Sequence, residues 1–247
     1  MRIAFLGTAA AITTENRDNT SFLVGDTLIE CSGNAFGKMR KLGYNPLRLK
    51  NVIITHGHVD HVYGLPSLVE MMRLSGRENP LKIYVSEVFS NLVKTYLGMF
   101  NFMEKERRFP VEVEEIRYGF QLIDEDLIIE FFPVKHSVEN FGLKIKSFDS
   151  IVVYSSDTEP CKEVIEQSFG ADLLIHEATC SYLFSKRIEG HTCAEDAARI
   201  AQQCGVKILC LVHLGPDINN DKKLIDELKK FFLGDILIPG DLEKIIL

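Results

Sequence analysis

Three histidines and an aspartate, His56, His58, Asp60 and His61, fall within six residues directly after the apolar run Asn51-Val52-Ile53-Ile54. Imidazole and carboxylate together suit zinc or a similar borderline metal. The two-residue spacing of His56 and His58 lets both rings converge from an extended or looping backbone. Asp60 and His61 fall where a helix starts, because Leu65, Leu68, Val69 and Met72 follow at helical spacing. A solvated loop is the alternative for a His-rich tract, but three of the chain's seven histidines crowd here beside an acid. The stretch reads as a metal loop.

Other apolar runs also end, on their C-terminal side, in a residue able to bind metal or move a proton. Ile129 to Lys135 leads to His136, Ile151 to Ser156 leads to Asp157, Leu173 to Ile175 leads to His176 and Glu177, and Ile208 to Val212 leads to His213. Ligand crevices in layered α/β proteins form at strand ends. These runs therefore predict one site at one edge, with no ligand from a strand interior. A lone histidine after a strand is most often structural. Beside the metal loop, however, His136, Asp157 and His213 complete a donor set large enough for two ions, with Asp157 bridging.

Short strands alternating with helices must position these groups. Arg2 to Leu6 is an edge or first strand, and Phe22–Val24 with Thr27–Ile29 is a hairpin around Gly25-Asp26. Helices are expected over Ala35–Leu42, ended by Gly43, and over Leu65–Ser75, with strands at Val52–Thr55 and Leu81–Val85. The helical region Val88–Met103 carries Phe89, Leu92, Val93, Tyr96, Leu97, Met99 and Phe100, a stripe for core packing or a homodimer seam. Cys161 to Gln167 is a short helix. Thr192-Cys193-Ala194-Glu195 reads as a capping box opening a helix with a small face, Ala194, Ala197, Ala198 and Ala201. Leu224, Leu228, Phe231 and Phe232 mark the last helix, and one short strand ends the chain. With no linker or low-complexity segment, a single domain over residues 1–247 is expected.

Composition bounds the partners. Hydrophobic residues at 46% and charged residues at 26% are ordinary for a soluble protein. No apolar run approaches the roughly 20 residues that span a bilayer. Met1 to Ile12 is too short for a signal peptide, carries only Arg2 and is broken by Gly7-Thr8. A cytoplasmic protein without a membrane partner is expected. Cys31, Cys161, Cys180, Cys193, Cys204 and Cys210 form no C-x-x-C pair and read as reduced, mostly buried thiols. A net charge of −7 disfavours general attraction to polyanions. The basic run Lys105-Glu106-Arg107-Arg108 sits among Glu104, Glu112, Glu114 and Glu115 and reads as a solvated face.

These pieces resemble the metallo-β-lactamase superfamily, and within it the ribonuclease Z and cyclic phosphodiesterase branch. The resemblance rests on Phe5-Leu6-Gly7-Thr8, Arg17 to Ser21, the His56–His61 loop with Gly64-Leu65-Pro66, and His136 followed by Phe141-Gly142. It continues through Ser156-Asp157-Thr158, His176-Glu177-Ala178-Thr179, His191-Thr192 with Ala197-Ala198, and Leu211-Val212-His213. It implies an α/β fold of the four-layer αββα sandwich type with a dinuclear site at the edge shared by two sheets. Two divalent ions are implied, zinc first, with manganese or iron as alternatives. His56, His58 and His136 would hold one ion, and Asp60, His61 and His213 the other, with Asp157 between them. His191 would lie near a scissile phosphate with Glu177 orienting it, and Asp60 could accept a proton. His176 has no ligand role in the pattern. For His191 the alternative is a helix neighbour without chemistry.

A hydroxide shared by two such ions is a nucleophile near neutral pH, since a bound water's pKa can fall to about 7. A positioned acid typically adds about 10²–10⁴-fold. The resemblance departs in two places. Ribonuclease Z proteins carry a tRNA-gripping arm between the segments matching His136 and Asp157, and here no arm fits between them. The stretch Leu214-Gly215-Pro216-Asp217 also lacks the Ser and Arg-Tyr expected there. With the acidic balance, this makes a small or cyclic phosphodiester the first expectation and tRNA 3′-end cleavage the second. Lactone, thioester or β-lactam hydrolysis would leave Glu177 and His191 idle. A flavo-diiron protein usually has Glu at position 58. A non-enzymatic metal-binding protein completes the alternatives.

Overall fold

The computed structural model describes residues 1–103, 109–124, 126–218 and 221–247, so the basic run Lys105 to Arg108 lies outside the described residues. The first half runs β1 (Arg2–Gly7), β2 (Ser21–Val24), β3 (Thr27–Ile29), α1 (Ala35–Lys41), β4 (Asn51–Ile53), α2 (Val59–Val62), α3 (Leu65–Leu74), β5 (Leu81–Ser86), α4 (Glu87–Gly98) and β6 (Val111–Ile116). The second half runs β7 (Gln121–Asp124), β8 (Leu127–Pro133), β9 (Phe141–Lys146), β10 (Ile151–Tyr154), α5 (Lys162–Ser168) and β11 (Leu173–Ala178). It closes with α6 (Ala194–Cys204), β12 (Ile208–Leu214), α7 (Asp221–Leu228), β13 (Asp235–Leu237) and β14 (Lys244–Ile246).

Side chains alternate across a strand, and where both faces are covered both sets are buried. Ile3, Phe5 and Ile53 meet Phe131, Val152 and Ile175 in a core between two sheets. Their neighbours point outward: Leu6, Leu28 and Val52 pack under Met39, Leu68 and Met72 of α1 and α3. On the far side Val153, Leu174 and Leu211 pack under Val164, Ala197 and Leu224 of α5, α6 and α7. The sheets run β14-β1-β2-β3-β4-β5-β6 and β13-β12-β11-β10-β9-β8-β7. This is the four-layer αββα sandwich.

Strands β3 to β6 are mutually parallel, as are β10 to β13, so their C-terminal ends share an edge. The loop after β1 fastens the two sheets there. The Ala10 amide donates to Leu214 O and the Leu214 amide to Thr8 O, both at 3.0 Å. Arg17 ties the loop down through Thr8 Oγ1 at 2.8 Å, Pro239 O at 2.6 Å and Asp221 at 2.6 Å. Gly7 is required by this closure, because a Cβ there would lie 1.9 Å from the Asn19 carbonyl oxygen.

Several expectations change. Strand β1 is not an edge, because β14 pairs outside it. Helix α4 stops at Gly98, and Asn101 takes a left-handed φ of +57° that a continuing helix cannot use. The apolar stripe divides: Val93 and Leu97 are buried, whereas Leu92, Met99 and Phe100 are exposed. Phe231 and Phe232 lie beyond α7, and two strands, not one, follow it. The capping box does not form. Thr192 Oγ1 donates instead to Thr158 O at 2.5 Å, and Glu195 accepts from Ser181 Oγ and the Tyr182 amide. The alanine face of α6 is buried as expected.

Cys180 and Cys193 are joined by a disulfide, correcting the expectation that all six cysteines are free thiols. The fold causes this by laying the end of β11 beside the residue that opens α6, in an isolated parallel bridge with Cα atoms 4.3 Å apart. A separation of 13 residues gave no sign of that contact. The other four thiols remain free, with Cys31, Cys204 and Cys210 buried. No helix among the described residues is long and apolar enough to cross a membrane.

Candidate metal centre

Strand β4 ends at Ile53, and the chain turns through Thr55 before α2 begins at Val59. That turn delivers His56 and His58, and the first turn of α2 carries Asp60 and His61. His136 follows β8, and Asp157 follows β10. Ser156 has a φ of +53°, a costly conformation for a non-glycine residue, and turns the chain so that Asp157 faces the cluster. Asn140 holds that turn, donating to Asp157 O at 2.7 Å and accepting from Ser156 Oγ at 2.9 Å.

His213 departs from the strand-end rule. It lies inside β12, also with φ +53°, opposite a register shift between Glu177 and Ala178 of β11. Both strands bend before they end, so His213 and Glu177 arise within strands rather than only after them.

The donors converge in two groups. His56 Nε2 and His136 Nε2 each lie 3.1 Å from His58 Nδ1. A tetrahedral zinc ion with bonds of about 2.0 Å separates its ligand atoms by about 3.3 Å. His136 Nδ1 donates to Gly190 O at 2.8 Å, which leaves a lone pair on its inward Nε2. Three imidazole nitrogens this close together match the spacing of metal ligands. In the second group Asp60 Oδ2 lies 3.3 Å from His61 Nε2 and 3.5 Å from His213 Nε2. Asp157 Oδ2 stands between the groups, 3.4 Å from His61 Nε2, 3.3 Å from His213 Nε2 and 3.7 Å from His56 Nε2. Both groups have the composition and closeness that could hold a metal ion.

The electrostatics agree. Burial and the neighbouring His61 push the His56 imidazole well below its usual range. Burial and His136 lower His58. Burial opposes a charge on His61, but Asp157 and Glu30 outweigh it and drive that imidazole well upward. Burial would raise the Asp157 carboxyl, yet His213 and His61 hold it well below the carboxylate range. Asp60 is lowered in the same way by His213 and His61 against its burial. Positive charge is favoured around the Asp60, Asp157 and Glu30 carboxylates and disfavoured among the clustered imidazoles of His56 and His58. His61 Nδ1 and Nε2 and Asp157 Oδ1 are buried without hydrogen-bond partners among the described residues, so these donors fit a metal centre.

Glu177 is fully buried and saturated. One oxygen accepts from the Thr158 amide at 2.8 Å and His191 Nδ1 at 2.9 Å, the other from the Thr179 amide at 3.1 Å and Thr179 Oγ1 at 2.7 Å. His191 stacks on His213 with ring centroids 5.6 Å apart. Burial disfavours its charge, but Glu177 outweighs this and raises it. The sequence-derived residues thus gather at one edge. His176 points elsewhere, with Nδ1 donating to Glu177 O at 2.8 Å.

Three residues had been given no role. Glu30 is fully buried, with Oε1 at 3.5 Å from His61 Nδ1 and accepting from Thr55 Oγ1 at 2.5 Å. Its signal was available, because Thr27–Ile29 is an apolar run ending in an acid. Thr55 stands between Glu30 and the His56 imidazole, and Thr179 between Glu177 and the His213 imidazole, which no spacing rule reveals.

The chain's similarities fit this geometry. Residues 26–214 match the family described as the beta-lactamase superfamily domain. Ribonuclease Z of Methanothermobacter thermautotrophicus (strain Delta H) is 28% identical over 290 aligned positions, which cover 94% of this chain and 92% of that protein. The structure of the metallo-beta-lactamase fold protein YhfI from Bacillus subtilis superposes with a TM-score of 0.85 at 23% identity, covering 99% of this chain and 98% of that one. Human tRNase Z, short form, superposes with a TM-score of 0.80 at 23% identity, covering 100% and 99%. These two structures share the fold. The chain belongs to the β-lactamase superfamily and is a metal-dependent hydrolase similar to the ribonuclease Z proteins.

Proposed function

We propose that this hydrolase cleaves phosphodiester bonds in RNA, removing 3′ extensions from precursors of the tRNA class. The observation that carries the reading is the Glu177–His191 pair, hydrogen-bonded at 2.9 Å and set against the donors of both metal groups. It is supported by relatives named ribonuclease Z that align along nearly the whole chain. The small-phosphodiester expectation gives way to it in rank. Lactone or thioester hydrolysis would leave this pair unused.

In this reading His56, His58 and His136 hold one divalent ion, zinc first. Asp60, His61 and His213 hold a second, and Asp157 serves both. When bound, such ions supply Lewis-acid polarisation of the phosphoryl group and lower the pKa of water. The chain's own residues do the rest. Asp60 accepts a proton from the attacking water. Glu177 keeps Nδ1–H of His191 turned inward, leaving the other ring nitrogen for substrate. The protonated imidazole donates there to the departing oxygen.

One observation favours a second reading, a small or cyclic phosphodiester. Strands β9 and β10 with their short loops occupy the chain between His136 and Asp157, leaving no room for an RNA-gripping arm. Precursor tRNA with a 3′ trailer, tested beside cyclic nucleotides and bis(p-nitrophenyl) phosphate, separates the two. Release of the trailer at a single site supports the first reading. An intact precursor with turnover of the small diesters would sink it in favour of the second.

We also propose that two copies pair through the exposed apolar patch of Val59, Leu92 and Met99, exposed at 72%, 49% and 74%. It borders a groove of about 620 Å³ that reaches Gly57 of the metal loop. Light scattering should give twice the chain mass, and Leu92→Glu should halve it. A monomeric wild type would end this idea.

A further inference from the structure

We propose that Thr179 is a positioning residue whose single hydroxyl sets both the ligand face of His213 and the orientation of the Glu177–His191 pair. The proposal rests on the roles assigned above to His213 and His191. Thr179 Oγ1 donates to Glu177 Oε2 at 2.7 Å. A hydroxyl has one proton. Toward His213 Nδ1, 2.9 Å away, the same oxygen is therefore an acceptor. His213 must then carry its proton on Nδ1, and its Nε2 presents a lone pair to Asp60 and Asp157, at 3.5 and 3.3 Å. Fixing the outward nitrogen of a ligand imidazole in this way sets both its tautomer and its ring plane. His191 Nδ1 lies 3.1 Å from the same hydroxyl and 2.9 Å from Glu177 Oε1, so its N–H is shared.

The first sheet repeats the device. Thr55 Oγ1 donates to Glu30 Oε1 and lies 3.1 Å from His56 Nδ1, whose Nε2 faces His58. At the edge of each sheet a threonine hydroxyl stands between a fully buried carboxylate and the outward nitrogen of a histidine in the donor set. At Thr179 the placement is over-determined. Its amide also bonds Glu177 Oε2 at 3.1 Å, and Cys180, the next residue, is tied to Cys193. Gly215 of the chain leaving β12 packs so tightly that a Cβ there would lie 2.1 Å from Thr179 O. The hydroxyl cannot wander.

Cobalt(II) titration of the metal-stripped wild type, Thr179→Val and Thr179→Ser tests this. Valine keeps the shape and removes the hydroxyl; serine keeps the hydroxyl. Losing an outer partner of this kind typically weakens metal affinity by about 10–100-fold. The expected result is two ions in the wild type and in Thr179→Ser. Thr179→Val should bind one ion normally and the second 10–100-fold more weakly, and lose the slowly exchanging Nδ1–H resonance of His213. Thr179→Ala is read the same way if the valine variant does not fold. Two wild-type affinities and an intact His213 resonance in the variants lacking the hydroxyl would overturn the role of Thr179 alone. A wild type that takes up no cobalt would overturn the metal reading and this proposal with it.

Discussion

Asp157→Ala is expected to lower phosphodiester turnover by at least about 10³-fold and to reduce bound metal. Asp157 is 2% exposed and presents one oxygen to nitrogens of three histidines drawn from both donor groups. Metal ions in such sites contribute several kcal/mol of charge stabilisation, and each 1.4 kcal/mol is about tenfold in rate. Asp157→Asn keeps the shape while removing the charge and should fall in the same direction. Elemental analysis of the purified variants beside their rates on bis(p-nitrophenyl) phosphate is the check. Unchanged metal content and unchanged turnover in both variants would remove Asp157 from the centre.

His191→Ala should cost about 10²–10⁴-fold in turnover, the usual contribution of a positioned acid, while metal content stays at the wild-type level. His191 belongs neither to the His56–His58–His136 group nor to the Asp60–His61–His213 group, so the two readouts separate. The pH profile carries a further sign. An imidazole acting as an acid works in its protonated form. Glu177 raises His191 above its ordinary value despite burial, so the acid form persists to higher pH and activity declines as pH climbs through that raised value. Glu177→Gln removes the carboxylate charge and should move this basic limb toward lower pH. A basic limb that stays in place would break the assignment of His191 as the acid.

Much of this centre was legible in the chain because metal chemistry needs few residue types at short spacing. The run from His56 to His61 is local, and His136 and Asp157 follow apolar strands, which brings them to one edge; His213 lies near the end of such a run, inside β12. What failed depended on contacts that no local pattern encodes. Thr192 and Glu195 have a capping-box spacing, but tertiary partners, Thr158 O and the Ser181–Tyr182 turn, compete for their side chains and win. Cys180 and Cys193 meet only because β11 and the start of α6 run side by side. Glu30 follows β3, a strand of only three residues, and the strand-end rule that predicts His136 applies to it equally. The apolar periodicity of α4 continues past Gly98, so spacing alone predicts a longer helix than the one that ends there, before the left-handed Asn101.

Anomalous diffraction at the zinc edge, from crystals of the zinc-loaded protein, bears on the whole account in one experiment. Two peaks should appear, one bounded by His56, His58 and His136 and the other by Asp60, His61 and His213, with Asp157 reaching both. A map in which neither triad holds an ion would leave the clustered imidazoles without their purpose and the hydrolytic mechanism without its centre.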